Sequence, residues 1–314
     1  MSVLVGVDPA RRSASALSLG ALLANSLGTD LVVAAVVATA WPPSRARIDH
    51  EWRAHTRETA EIVLDHAASV LGGQVEATYL VHDAASARRG LLELVEEHDP
   101  TVVVLGSAHR GEHGRISLGS VSEALLHASP APVAIAPVGF RVPLDARVGR
   151  VTAAYGGSEA ATGLIVGAAT MTAGTGASLR LASFAVRPEA EFNILAGAGS
   201  HSEDPVLGEW AATMHDHADR TLDAISTLPQ RPPLEGAVIG IGESWAAAIH
   251  DVDWRDDEVL VVGSSSLSPL ARVFLGTHAT KVVRNAPVPV IVLPRAAVER
   301  AEQAERAEQT DGAE

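Results

Sequence analysis

Two hydrophobic rhythms alternate along the chain. Short apolar runs bounded by turn residues are separated by longer stretches in which apolar positions recur every three or four residues, a βα succession that predicts parallel sheets wound with helices. In the first half the pattern predicts strands near 3–7, 31–37, 75–82, 101–105 and 132–136, with helices near 12–27, 49–71, 84–97 and 120–128. Gly28 closes the first of these helices and Gly72-Gly73 the second. In the second half it predicts strands near 148–154, 178–185, 235–241, 258–262 and 288–293, with helices near 158–173, 203–228, 243–250 and 277–285. Runs such as Val102-Val103-Val104-Leu105 and Val259-Leu260-Val261-Val262 carry no polar face, as strands buried on both sides require. The fold class is therefore α/β, with a five-stranded parallel sheet in each half.

The halves repeat. Gly106-Ser107 recurs as Gly263-Ser264, Gly119-Ser120 as Gly276-Thr277, and Ser129-Pro130-Ala131-Pro132-Val133 as Ala286-Pro287-Val288-Pro289-Val290, all at one offset that also carries Pro137 onto Pro294. The chain divides into residues 1–138, a linker at 139–146, a second domain at 147–295 and an acidic tail at 296–314. Residues 186–202 form an irregular insertion. The tail repeats Glu-Arg-Ala-Glu-Gln and offers nothing larger than Ala to a core, so it is a solvated or frayed segment.

Charge and composition narrow the chemistry. The 24 basic against 38 acidic residues leave a formal net charge of -14, which repels phosphate backbones and excludes nucleic acid as a partner. Cysteine is absent, which removes disulfides, thiolate nucleophiles and Cys-ligated metals and points to the cytoplasm. MSVLVGVD lacks a basic leader, and no apolar run reaches the roughly 20 residues of a membrane span. The single lysine, Lys281, has no P-loop around it. His215, His217 and Asp219 lie on a helix where only His215 and Asp219 share a face, so no metal site is expected. Gly240-Ile-Gly242 begins like a dinucleotide fingerprint but places Trp245 at the third glycine, and serves only as a strand-to-helix turn.

The candidate site is the stretch from Gly106 to Ser122. It leaves the carboxyl end of a buried strand and enters a helix, the position at which open α/β sheets bind ligands. Gly106 and Gly119 permit close backbone approach, Ser120 is expected to cap the helix, and the amides of Val121 and Ser122 face an anion with the positive end of the helix dipole. Arg110 or Arg115 supplies counter-charge.

Gly-Ser, with thirteen residues from its glycine to the glycine of Gly-Ser-Val-Ser, then a Pro-x-Pro-Val strand, resembles the universal stress protein family in its tandem two-domain form. The resemblance implies an adenine nucleotide alpha hydrolase-like fold, an internal pseudo-dimer whose last strands meet, and a nucleotide-responsive stress or regulatory module with ATP or another adenine nucleotide as ligand. It leaves open homodimerisation, a protein partner, a slow ATP hydrolase and a scaffold without nucleotide; the expectation is that the chain is not an enzyme. On this resemblance Gly106, Ser107, Arg110, Gly111, Gly119, Ser120, Val121 and Ser122 belong to the binding loop, Asp8 to the adenosine side and Val36 to the adenine wall. His109 replaces a family glycine. In the second half Ser266 replaces the same glycine and Tyr155 is expected at the Asp8 place, which makes the second site weak.

Overall fold

The computed structural model describes residues 1–9, 14–39, 47–108, 112–156, 159–186, 203–263 and 276–294. The first half runs β1 (Ser2–Val7), α1 (Ala14–Leu27), β2 (Asp30–Ala38), α2 (Arg47–Leu71), β3 (Ala77–Ala84), α3 (Ala87–His98), β4 (Val102–Gly106), α4 (Ser120–Ala128) and β5 (Val133–Ala136). The second runs β6 (Arg150–Ala154), α5 (Glu159–Ala173), β7 (Ser178–Val186), α6 (Glu203–Ser226), β8 (Leu234–Gly242), α7 (Trp245–His250), β9 (Glu258–Gly263), α8 (Thr277–Asn285) and β10 (Val290–Leu293). The left-handed conformations of Gly28, Gly72 and Gly73 end α1 and α2 where the sequence placed the stops. The insertion beyond residue 186 and the tail lie outside the described residues.

Each half is a five-stranded parallel sheet, and the two fuse into one ten-stranded sheet of order β3-β2-β1-β4-β5-β10-β9-β6-β7-β8. The junction is antiparallel: Val133 faces Val292, Ala134 faces Ile291 and Ile135 faces Val290. Ala134 and Ile291 are repeat equivalents at the offset of the glycine loops, so this pair sits on a pseudo-twofold axis normal to the sheet. Successive strand residues face opposite layers. Val3 and Val5 join α1, α2, α5 and α6 on one face, while Leu4, Val103 and Leu105 join α3, α4, α7 and α8 on the other. Both layers continue across the junction. No helix among the described residues is long and apolar enough to cross a membrane.

The halves differ at the amino ends of their strands. In the second half Glu258, fully buried, accepts hydrogen bonds from Arg150 Nη2 (2.5 Å), Arg180 Nη2 (2.8 Å) and the Thr152 hydroxyl. Both guanidiniums also donate to the Asp253 carbonyl, at 2.9 and 3.0 Å, and Arg180 stands over the Trp254 ring. Strand pairing puts Leu4 and Val32 of the first half at the places of Thr152 and Arg180, so an apolar contact there has become an ionic one.

The helix after each third strand also packs closely, with the glycine exchanged between partners. A Cβ on Gly90 of α3 falls 2.6 Å from Val36 Cγ1 and 2.9 Å from Ala84 Cβ. In the second half the helix carries Ala248 and the strand supplies Gly242, whose added Cβ would lie 2.4 Å from the Ala248 amide nitrogen.

Two outcomes follow in urea denaturation. Gly90→Ala lowers stability by about 1–3 kcal/mol through overpacking, and adding Ala84→Gly recovers part of the loss by removing one of the two clashes. Glu258→Gln leaves the buried Arg180 guanidinium without its ion-pair partner and Arg150 with Glu235 alone, at 3.3 Å, and costs about 3–5 kcal/mol; an unchanged midpoint contradicts the ionic role of Glu258.

Candidate functional site

The strand order reverses between β1 and β4, and a cavity of about 520 Å³ opens beyond their carboxyl ends. Asp8 follows β1, Val36 lies near the end of β2 and Gly106 ends β4. These three line the cavity with Ser107, Gly119, Ser120, Val121 and Ser122. Eight of the residues singled out in the sequence thus converge on one space. Arg110 and Gly111, with His109, lie outside the described residues. Arg115 does not line the cavity and pairs instead with Glu112 at 3.3 Å.

The site's polarity comes from several elements. The first turn of α1 (Ala14, Ser15, Ala16) and the first turn of α4 (Ser120, Val121, Ser122) both reach it, so two helix dipoles present their positive ends to the same space. Asp8 supplies a carboxylate on the opposite side of that balance. Val36, Leu91 and Leu105 form an apolar wall.

Two roles expected from the sequence change. The cap of α4 is Gly119 and not Ser120, because Gly119 holds the extended conformation (φ -97°, ψ 171°) and Ser120 is already helical. Gly119 has no side chain to bond the first-turn amides, so they keep no side-chain cap. Ser107, expected in the binding loop, has its hydroxyl engaged within the protein: it donates to the Ala136 carbonyl (2.7 Å) and accepts from the Ser117 amide (3.3 Å). Together with the Ala108 amide on the Ser117 carbonyl (2.7 Å), it ties the two ends of the loop together.

Of the cavity glycines, Gly106 and Gly119 are not demanded by the fold. Gly119 has a negative φ, and among the described residues a Cβ there meets only the Ala108 Cβ at 3.5 Å, and a Cβ on Gly106 only the Ala16 Cβ at 3.8 Å. The volume these absent side chains vacate belongs to the cavity.

Sequence reading missed Arg141 and Ser15. Arg141 belongs to the linker, read as loosely patterned, yet it lines the cavity, donating through Nη1 to Ser15 Oγ (3.1 Å) and to the Phe140 carbonyl (2.7 Å). The available signal was an arginine two residues beyond Gly139, immediately after the last strand of the half. Gly139 turns the chain there with φ 81°, under the His113 ring.

In the second half the same positions carry larger side chains. A Cβ added to Gly263 would lie 3.0 Å from Leu164 Cδ2, where one on Gly106 clears the Ala16 Cβ at 3.8 Å. Phe184 takes the strand place of Val36, and Trp245 follows its cap Ser244 as Ala87 follows Ser86. Trp245 stacks on His278, with ring centroids 5.3 Å apart, and lies under the Lys281 ammonium. The Asp8 place is corrected as well. Val3 pairs with Val102, and Val151 with the repeat equivalent Val259, so Asp8 corresponds to Gly156 and Tyr155 to Val7. Tyr155 is a buried core residue whose hydroxyl meets Thr221 at 3.3 Å. The second half therefore lacks the carboxylate through a glycine and not through a tyrosine. Ser264, Ser266 and Pro269 lie outside the described residues. Among the described residues no cluster of metal-ligating side chains occurs.

The profile of the universal stress protein family matches residues 1–137 and again 148–294. A universal stress protein of Mycobacterium tuberculosis is 34% identical over 300 residues, which cover 94% of this chain and 100% of that one. Among solved structures, a universal stress protein of Archaeoglobus fulgidus superposes with TM-score 0.56 at 20% identity, covering 94% of this chain and 98% of that one. A Pseudomonas aeruginosa protein of unknown function superposes with TM-score 0.54 at 14% identity, covering 98% and 97%. The last two likenesses are of fold.

Since the fold itself leaves room for a side chain at Gly119, Gly119→Ala is expected to hold the urea midpoint within about 0.5 kcal/mol of the unsubstituted protein. A larger loss assigns this glycine to folding.

Proposed function

The chain belongs to the universal stress protein family, and from that premise we propose that it is a stress or regulatory module that binds one adenine nucleotide, ATP, in the cleft of its first half. The observation that carries this reading is the contrast between two repeat-related clefts. One keeps Ala16, Val36 and Ala87 and an open volume, while the other carries Leu164, Phe184 and Trp245.

The residues fit the ligand. Asp8 accepts hydrogen bonds from ribose hydroxyls or an amino group, Val36 and Leu91 wall a flat apolar base, and Gly106 and Gly119 leave space for direct backbone approach. The amides at the start of α4 and the dipole of α1 favour phosphate oxygens. Binding, and not turnover, is the activity that this arrangement supports. Of the loop's three candidate general bases, Glu112 pairs with Arg115 and His113 packs over Gly139, while His109 lies outside the described residues. The second half then serves as scaffold, a reading that its filled cleft favours.

Calorimetry with ATP is expected to give about one site per chain. Asp8→Ala loosens it by roughly one to two decades, the equivalent of about 1.5–3 kcal/mol for a lost charge-assisted hydrogen bond. His109→Gly tightens it and Gly276→Val leaves it unchanged. Two equal sites, or sensitivity to Gly276→Val alone, overturn the assignment, and a robust turnover abolished by Gly119→Val overturns the non-enzymatic reading.

A further inference from the structure

We propose that Arg141 of the linker is the residue that distinguishes a phosphorylated nucleoside from an unphosphorylated one, and that through it the charge of the ligand is passed to the strap joining the two domains. The inference rests on the reading above that the first cleft takes an adenine nucleotide.

Arg141 is placed for an anion that the protein does not itself provide. Its Nη1 is held by Ser15 Oγ on the first turn of α1 and by the Phe140 carbonyl, both neutral acceptors. Among the described residues no carboxylate pairs with it and its Nε and Nη2 donors have no hydrogen-bond partner. Asp8 lines the same cavity, but no ion pair joins it to Arg141 among the described residues, so in a chain of net charge -14 this arginine keeps its charge for a ligand. It is also the one cationic side chain lining the cavity among the described residues, adjoining the positive ends of α1 and α4.

The same residue begins a strap. Beyond it the Val142 amide donates to Ser18 Oγ (3.0 Å), Asn25 Nδ2 donates to the Leu144 carbonyl (2.7 Å) and the Ala146 carbonyl (3.2 Å), and the Val148 amide donates to Ser26 Oγ (2.8 Å). Ser15, Ser18, Asn25 and Ser26 thus tie the linker along α1 from the mouth of the cleft to the start of β6. At the repeat-equivalent positions α5 and its end have Gly163, Val166, Ala173 and Gly174, which offer no side-chain hydrogen bond. The strap belongs to the half that keeps the open cleft. A phosphate that engages Nη2 fixes Arg141, and fixing Arg141 holds the end of the strap against α1.

The test titrates the full chain, Arg141→Gln and Arg141→Lys with ATP and with adenosine by calorimetry, and follows amide hydrogen exchange at Val142 and Val148. The expected result is a roughly tenfold loss of ATP affinity in Arg141→Gln, partial retention in Arg141→Lys, and unchanged adenosine affinity in both. ATP, but not adenosine, slows exchange at Val142 in the unsubstituted chain, and this slowing disappears in Arg141→Gln. Equal losses for the two ligands, or no loss for either, overturn the role of Arg141 while leaving nucleotide binding intact. Equal slowing of Val142 by ATP and adenosine overturns the coupling. Failure of the unsubstituted chain to bind either ligand overturns the nucleotide reading itself, and the inference falls with it.

Discussion

The arrangement rests on the antiparallel contact between β5 and β10. A five-stranded wound sheet of order 3-2-1-4-5 ends in a short apolar strand, here Val133–Ala136 or Val290–Leu293, whose residues are all buried. Alone, either strand would expose a row of unpaired amides and carbonyls beside a greasy edge. Pairing each with its own repeat removes both edges at once. Because the register places Ala134 opposite Ile291, the contact is self-complementary, and a twofold in an antiparallel pair stands normal to the sheet. Related helices must then share a face, which is why α3 and α4 lie in one apolar layer with α7 and α8. The carboxyl ends of the strands in the two halves point in opposite directions, so the two clefts face away from each other.

Once the junction holds the halves together, the two clefts no longer need to be alike. The first remains open at the cost of packing: small residues at Ala16, Val36 and Ala87 forgo the burial that larger side chains would contribute. The second recovers that burial with Leu164, Phe184 and Trp245, and at the far end of its strands adds the Arg150–Glu258–Arg180 cluster. A buried ionic cluster is a weak source of net stability but is demanding in geometry, since every partner must be present for the charges to be tolerated. One half thus keeps an open cleft and the other is given to packing.

Much of this was legible in the sequence, because periodicity and glycine spacing act locally. The strands and helices fall within a few residues of the expected spans, and the shared offset of the glycine loops located the duplication and hence the junction. The failures have a common cause in longer-range register. The glycine-loop offset does not hold before the 186–202 insertion, so sequence alone leaves the register there open; Tyr155 falls one residue short of the Asp8 place, and only strand pairing fixes Gly156 there. Ser120 as cap is a one-residue error that hinges on the backbone angles of Gly119. The inward role of Ser107 depends on where β5 ends, and Arg141 reaches the cavity only because Gly139 turns the linker back over α1. No pattern within the linker carries that information.

The junction also decides how a bound ligand can be felt elsewhere. Rotation of one domain against the other would have to break backbone pairs at the centre of a continuous ten-stranded sheet and open both helix layers, since the apolar clusters run through it. A ligand can shift an equilibrium only by the difference in its affinity for the two states, and a state of such high energy lies beyond the reach of one nucleotide. The element with two accessible states is therefore a peripheral one whose contacts are few and separable. The linker, tied to α1 by a handful of side-chain hydrogen bonds and beginning at the cleft, meets that requirement. On the function proposed above, its attachment makes the α1 face, and not the relative orientation of the domains, the surface on which occupancy is displayed.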